Sequence, residues 1–330
     1  MGVIMTELSE IFKKIRDIGI MPVIKLDKAE DAVPLAKALS AGGIPLAEIT
    51  YRSSAAEAAI KAVSKECPDM LVGAGTVTTV EQAKSAIAAG AKFVLAPGFD
   101  PAVVDYCISK KVPMIPGVSD ASQVEAAIAK GLKVVKLFPA SVVGGPDMLK
   151  ALAGPFADMM FIPTGGVNTA NVVDYAKLPN VLAVGGSWMV KTDLINAGKW
   201  DEITAACQEA VKALQGFKFA HMGMNASEDN PAEEISEKIA VFGLPSKPGN
   251  SSIFNATDIE IMRKNGRGVH GHVGIRCANV DRSIAYLAQF GFTPVEETMT
   301  HIIKDDPNSP LKFTYLLPEI NGFAFHLVRY

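Results

Sequence analysis

The chain reads as an α/β protein: a (β/α)8 TIM barrel over residues 1–215, followed by a smaller α+β domain over residues 216–330. Three observations predict this. Before residue 215, short apolar runs alternate eight times with alanine-rich helical patterns, and such alternation argues for a parallel sheet with crossover helices that closes most naturally into a barrel. After Leu214-Gln215-Gly216 the rhythm stops and a weak internal repeat takes over. The total of 330 residues is about twice a typical domain, which one barrel and one smaller module would fill. An open doubly wound sheet is the competing architecture for the first part.

The eight strand-like runs fall at residues 20–24, 46–50, 71–73, 93–95, 114–116, 134–137, 160–163 and 181–184, each apolar or β-branched. Between them, residues 31–41, 54–63, 80–89 and 122–130 carry apolar residues at helical spacing. Gly42, Gly90 and Gly131 stand where those helices would stop.

Polar residues gather at the carboxyl ends of the strands. Glu48, Thr50 and Arg52 close the second, Gly75 and Thr76 the third, Pro97 and Gly98 the fourth, and Lys136 lies in the sixth. Thr164-Gly165-Gly166 ends the seventh and Gly185-Gly186-Ser187 the eighth. Barrel active sites form on this face, and phosphate commonly binds after strands seven and eight, where small residues leave backbone N–H groups free to converge. One glycine pair alone is an ordinary turn. Two pairs on consecutive strands favour a phosphate cradle.

Lys136 sits alone in the apolar run Val134-Val135-Lys136-Leu137-Phe138-Pro139. An ammonium is costly to bury, so a lysine kept there is either paired or used; the plain alternative is that it snorkels to the surface. Desolvation disfavours the charged form, and an uncharged amine can form a Schiff base with a ketone. That chemistry needs a proton carrier. Strand alternation places Leu46, Glu48 and Thr50 on one side of the second strand, so Glu48 is the candidate acid/base. Because a tight ion pair would hold the amine protonated, Glu48 is expected to approach Lys136 through water or substrate. Its plainer role is charge neutralisation.

The motifs Leu46-Ala47-Glu48-Ile49-Thr50-Tyr51-Arg52, Val72-Gly73-Ala74-Gly75-Thr76-Val77, Ala96-Pro97-Gly98, Val135-Lys136-Leu137-Phe138-Pro139-Ala140, Pro163-Thr164-Gly165-Gly166 and Gly185-Gly186-Ser187-Trp188 closely resemble those of the 2-keto-3-deoxy-6-phosphogluconate and 4-hydroxy-2-oxoglutarate aldolases, in unbroken order from about residue 6 to 214. The resemblance implies a class I aldolase, homotrimeric and without metal or other cofactor, that releases pyruvate from a 2-keto-4-hydroxy acid, phosphorylated where the cradle is used. By position, it makes Lys136 the Schiff-base lysine and Glu48 the general acid/base. It also implies that Arg52 and Thr76 hold the pyruvyl end, that Pro97 lines the pocket, that Gly165, Gly166, Gly186 and Ser187 form the phosphate cradle, and that Thr164 is a further substrate-binding residue. Where some relatives carry arginine after the first strand, this chain has Lys25, a point charge without the bidentate fork.

In the tail, residues 219–225 around His221 echo residues 271–276 around His272. Each is followed by a helical pattern (231–242 and 281–290), and each half finishes on an extended stretch (258–263 and 323–329). The pattern resembles the paired βαβββ modules of the vicinal-oxygen-chelate family, which includes glyoxalase I. That resemblance implies a divalent metal held by His221, Glu260, His272 and His326, with His326 where the family usually has glutamate. Imidazole and carboxylate suit zinc, nickel, iron or manganese. His270 and His301 fall at no repeat-equivalent position. The competing account leaves all four residues structural.

Composition narrows the partners. With 49% hydrophobic and 20% charged residues and a net charge of -3, the chain has a sizeable core and no electrostatic footprint for nucleic acid or anionic membrane. No apolar run reaches the ~18 residues of a membrane span. The start, Met1-Gly2-Val3-Ile4-Met5, lacks a signal-peptide pattern, and Cys67, Cys107, Cys207 and Cys277 lie far apart, as expected of reduced cytoplasmic thiols. A small-molecule aldolase leads. A phosphate-binding barrel isomerase with Glu48 as base, and a ligand- or metal-binding protein acting through the tail, are the alternatives.

Overall fold

The computed structural model describes residues 2–306 and 309–330; residues 1–5, on which the signal-peptide reading rests, have side chains outside that description. The chain divides into two compact units between Leu214 and Gln215.

In the first unit, helix α1 (Gly2–Ile18) leads into β1 (Ile20–Ile24), and α2 (Ala32–Ala41) into β2 (Leu46–Thr50). There follow α3 (Ala56–Glu66), β3 (Leu71–Gly75), α4 (Val80–Ala88), β4 (Val94–Leu95), α5 (Pro101–Ser109), β5 (Met114–Ile115) and β6 (Gly117–Val118). The unit continues with α6 (Ala121–Ala129), β7 (Val134–Leu137), α7 (Gly145–Ala153), β8 (Met160–Phe161), α8 (Val172–Ala176), β9 (Val184–Gly186), α9 (Thr192–Asn196) and α10 (Trp200–Gln215). β1 pairs in parallel with both β2 and β9, and bridges Phe161↔Val181 and Thr164↔Gly185 carry the sheet from β8 to β9, so the barrel closes. The expected parallel barrel is present. β5 and β6 are one strand broken at Pro116, which has no N–H to give; β5 pairs with β4, and β6 with β7.

Local chemistry sets the helix starts. Thr79 accepts from Gln82 N while Gln82 Oε1 accepts from Thr78 N, and Asp120 caps α6 with Gln123 reaching back to Ser119 N. Asp100 caps α5 with Pro101 in its first turn. The last strand differs from the reading at 181–184. Its register runs Ile20↔Val184, Met21↔Gly185, Pro22↔Gly186, so the glycines stand inside the strand, and Val181 makes only an isolated bridge.

The second unit contains β10 (Lys218–Asn225), α11 (Ala232–Ala240), β11 (Ser246–Pro248), β12 (Ser252–Asn255) and β13 (Ile259–Met262). Then come β14 (Gly271–Cys277), α12 (Val280–Ala288), β15 (Thr293–Pro294), β16 (Thr300–His301), β17 (Leu311–Ile320) and β18 (Phe323–Arg329). The mixed sheet has the order β11-β12-β13-β10-β14-β18-β17-β15, with β16 also on β17. Its halves mirror each other. β10 and β14 pair antiparallel at the centre, and each lies parallel to the last strand of its own half, β13 or β18. Each half has its own small core: Ala226, Ala232, Ile253 and Ile261 in one, Cys277, Val280, Leu311, Leu316 and Leu327 in the other. One helix covering one set of strands is what each repeat can bury by itself.

Candidate functional site

Lys136 and Glu48 meet inside the barrel. Lys136 is 4% exposed and Glu48 0%, and Lys136 Nζ donates to Glu48 Oε1 at 3.1 Å. The lysine therefore does not snorkel. The direct contact corrects the expectation of an approach through water or substrate: two buried opposite charges satisfy each other more cheaply than either remains alone. Glu48 Oε2 is also buried and has no hydrogen-bond partner among the described residues. The Phe138 ring lies 5.4 Å from Nζ.

Room for the carboxylate comes from Gly75. In the β2–β3 register Glu48 faces Gly73 and Thr50 faces Gly75, and a Cβ on Gly75 would collide with the Glu48 side chain. Thr76 follows with φ of 55°, a left-handed conformation that side chains other than glycine's rarely adopt. Thr50, fully enclosed, donates to the Ile24 carbonyl at 2.6 Å and accepts from Arg52 Nε at 3.1 Å. The guanidinium of exposed Arg52 is thus tied at Nε, which leaves its two terminal nitrogens for an anion. Pro97 is half-buried at the end of β4, and its carbonyl abuts Gly117.

Beyond β8, Thr164 is buried and bridges Gly185, while Gly165 (φ 97°) and Gly166 (φ 79°) hold left-handed turns. Successive N–H groups in such a turn form an anion-binding concavity. Among the described residues no hydrogen bond uses the N–H of Gly165, Gly166 or Ser187. Gly186 ends β9 buried, and Ser187 beside it is exposed. Lys25 is held by Asp27 at 2.7 Å, and Asn196 donates to the same carboxylate at 2.9 Å. That pairing engages the one charge Lys25 carries.

In the second unit the four residues singled out come together. His221 Nε2 lies 3.1 Å from His272 Nε2, 3.2 Å from His326 Nε2 and 3.3 Å from Glu260 Oε2, and His272 Nε2 is 3.2 Å from the same oxygen. A ring nitrogen holds one proton or one lone pair, so His221 Nε2 cannot satisfy three neighbours by hydrogen bonding. Ligand atoms about 2.0–2.1 Å from a tetrahedral ion sit ~3.3 Å apart, so these spacings fit a divalent ion at their centre. Burial lowers the His221 pKa, and burial with the neighbouring imidazoles pushes that of His326 down to about 3. Burial raises the Glu260 pKa, but hydrogen bonds from His272 and Ser252 leave it below its usual range. The His270 ring lies tilted against Phe323, and His301 Nδ1 meets the Ser309 carbonyl at 2.6 Å; neither belongs to the group.

Two residues that the sequence reading passed over make this cluster possible. In register, His221, Gly274 and His326 form one row, and Glu260, Gly223 and His272 the next. A Cβ on Gly223 would enter the His272 ring, and one on Gly274 would meet the rings of His221 and His326. The signal was present in the repeat: His221-Met222-Gly223 and His272-Val273-Gly274 share one His-x-Gly spacing.

The family model for KDPG and KHG aldolase matches residues 11–206. A 2-dehydro-3-deoxy-phosphogluconate aldolase of Treponema pallidum is 48% identical over 204 residues, covering 62% of this chain and 97% of that protein. The KHG/KDPG aldolase of Escherichia coli K12 is 44% identical over 196 residues, 59% of this chain and 92% of that protein. Among solved structures, the KDPG aldolase of Legionella pneumophila, with pyruvate captured as a covalent carbinolamine intermediate, superposes with a TM-score of 0.59 at 40% identity, over 61% of this chain and 97% of that one.

Proposed function

Because the chain belongs to the KDPG and KHG aldolase family, matched over residues 11–206, we propose that its barrel cleaves 2-keto-3-deoxy-6-phosphogluconate to pyruvate and glyceraldehyde 3-phosphate, 4-hydroxy-2-oxoglutarate to pyruvate and glyoxylate, or both, through a Schiff base on Lys136. One observation carries the site assignment: Nζ is buried within a closed parallel barrel, 3.1 Å from a buried carboxylate.

The Lys136 amine, having passed its proton to Glu48, attacks the C2 carbonyl to form a carbinolamine, and Glu48 returns a proton as water leaves. The resulting iminium accepts the electron pair of the C3–C4 bond while the C4 hydroxyl gives up its proton and the aldehyde departs. The enamine takes a proton at C3, and water releases pyruvate from the lysine. Glu48 Oε1 engages the amine, and the free Oε2 is the oxygen for the substrate's proton. Arg52 grips the pyruvyl carboxylate, Thr76 lies along the carbonyl region and Pro97 walls the pocket. Gly165, Gly166, Gly186 and Ser187 receive the distal phosphate, which favours the phosphorylated six-carbon acid, and Thr164 binds substrate beside them. Lys25, tied to Asp27, adds little to that grip.

Borohydride with pyruvate is the test. A three-carbon adduct on Lys136 supports the assignment, and labelling of another lysine, or none, sinks it in favour of the isomerase reading. The family resemblance supports a homotrimer, which light scattering checks, and the four free cysteines support a reducing, cytoplasmic setting.

For the second unit the reading is a glyoxalase-like domain of paired βαβββ modules, supported by the mirrored strand order and the convergent nitrogens. His221, Glu260, His272 and His326 would hold a divalent ion, which supplies Lewis-acid polarisation when bound. Stoichiometric zinc, nickel, iron or manganese in purified protein, lost in His272→Ala, is the expected result. Absence of any such ion before and after addition makes the quartet structural.

A further inference from the structure

Two residues along β14 and β18 from the ligand row His221–Gly274–His326 lies the row Lys218, Arg276 and Val328, a bulge between Phe219 and His221 taking up the extra residue on β10. Residues two apart on a strand share a face, so Arg276 projects on the same side as His272 and Gly274, and Lys218 opposite it does likewise. Both cations are exposed, and no ion pair engages either among the described residues. Asp258, just ahead of β13, accepts from Thr257 within its own turn. Phe254, Phe313 and Tyr315 stand around the imidazoles, with ring centroids 5.8 Å from His221 and 4.7 and 5.2 Å from His326.

Charge counting then distinguishes this chain from a site with two carboxylates. One carboxylate and three neutral imidazoles leave a divalent ion with one uncompensated positive charge, and His326 is the residue responsible. Two unpaired cations beside it add to that field, and aromatic rings flank the imidazoles, Phe313 in the cation row itself through its pairing with Val328.

We infer that the metal site of the second unit takes a small carboxylate anion as its ligand, anchored by Arg276 and Lys218. The inference rests on the metal reading of the quartet. A guanidinium presents a planar fork that matches a carboxylate. Pyruvate, the product of the barrel, belongs to this chemical class.

The full-length protein is first titrated with Co2+ alone, whose visible absorption reports binding; failure here removes the metal reading and the inference with it. Oxalate, a carboxylate that cannot form an imine with Lys136, is then added to the Co2+-loaded protein. The expected result is a saturable spectral change, tighter than with inorganic phosphate and weakened about tenfold or more in the Lys218→Ala/Arg276→Ala double variant. His326→Glu should keep Co2+ and lose oxalate affinity. Bound Co2+ that ignores oxalate, that responds equally to phosphate, or that keeps its oxalate affinity in the surface double variant overturns the inference and leaves the metal reading intact.

Discussion

Nζ of Lys136 lies 3.1 Å from Oε1 of Glu48, while Oε2 of the same carboxylate is buried without a hydrogen bond among the described residues. One carboxylate thus has two distinct ends, one on the amine and one without a partner. The division of labour between them is open to mutation.

Glu48→Gln keeps the shape and a polar contact to Lys136 but cannot carry a proton. Turnover should fall on the order of ~10² to 10⁴-fold, while borohydride still traps pyruvate on Lys136 over a long incubation, since the slowed dehydration need occur only once. Steady-state rates and intact-mass analysis check both halves. Glu48→Ala is a different experiment, because removing one partner of a buried pair costs about 3–5 kcal/mol; denaturant melts should show it.

Gly75→Ala places a Cβ where the Glu48 side chain now lies. Either the carboxylate moves off Lys136 or the β2–β3 pair gives way. A kcat loss approaching that of Glu48→Gln is expected, with destabilisation of about 1–3 kcal/mol from overpacking. Activity and melting measured on one preparation separate the two effects, and a variant with wild-type kcat would show that Glu48 does not depend on this gap.

Thr50→Val removes the hydroxyl that links the Ile24 carbonyl to Arg52 Nε. Arg52 keeps its charge and loses its aim. The expected change is a rise in KM of roughly tenfold, the value of one hydrogen bond to a charged group at about 1.5 kcal/mol, with kcat affected less. Thr50→Ser should restore KM, which a purely structural defect in β2 would not allow.

The barrel was legible because strand and helix periods alternate plainly and because a lone lysine in an apolar run has few explanations. The expected position of Glu48 followed from the two-residue period of 46–50. Its direct contact with Lys136 did not, since the distance depends on barrel diameter and on the space left by Gly75, a residue 27 positions away in sequence. The last strand shifted for a related reason: register along β1 drew Gly185 and Gly186 into the sheet, although their composition suggests a turn. In the second unit, repeat alignment found four residues that converge, yet said nothing of Gly223 and Gly274, whose role is to be small beside imidazoles on neighbouring strands. Local pattern names chemistry-bearing side chains; the space between them belongs to the tertiary fold.

Gly166→Ala tests the phosphate cradle without touching Lys136 or Glu48. The residue sits at φ of 79°, and a Cβ there would meet Ser141, so the turn carrying the Gly165 and Gly166 N–H groups must open or shift. If those groups bind the distal phosphate, kcat/KM for the phosphorylated six-carbon acid should fall by about tenfold to a hundredfold, the loss of one or two charge-assisted hydrogen bonds. For unphosphorylated 4-hydroxy-2-oxoglutarate, which has nothing to place there, it should change little. The ratio of the two specificity constants is the measurement, because a general loss of folded enzyme cancels from it. Equal losses for both acids would place the phosphate elsewhere and return Gly165 and Gly166 to ordinary turn residues.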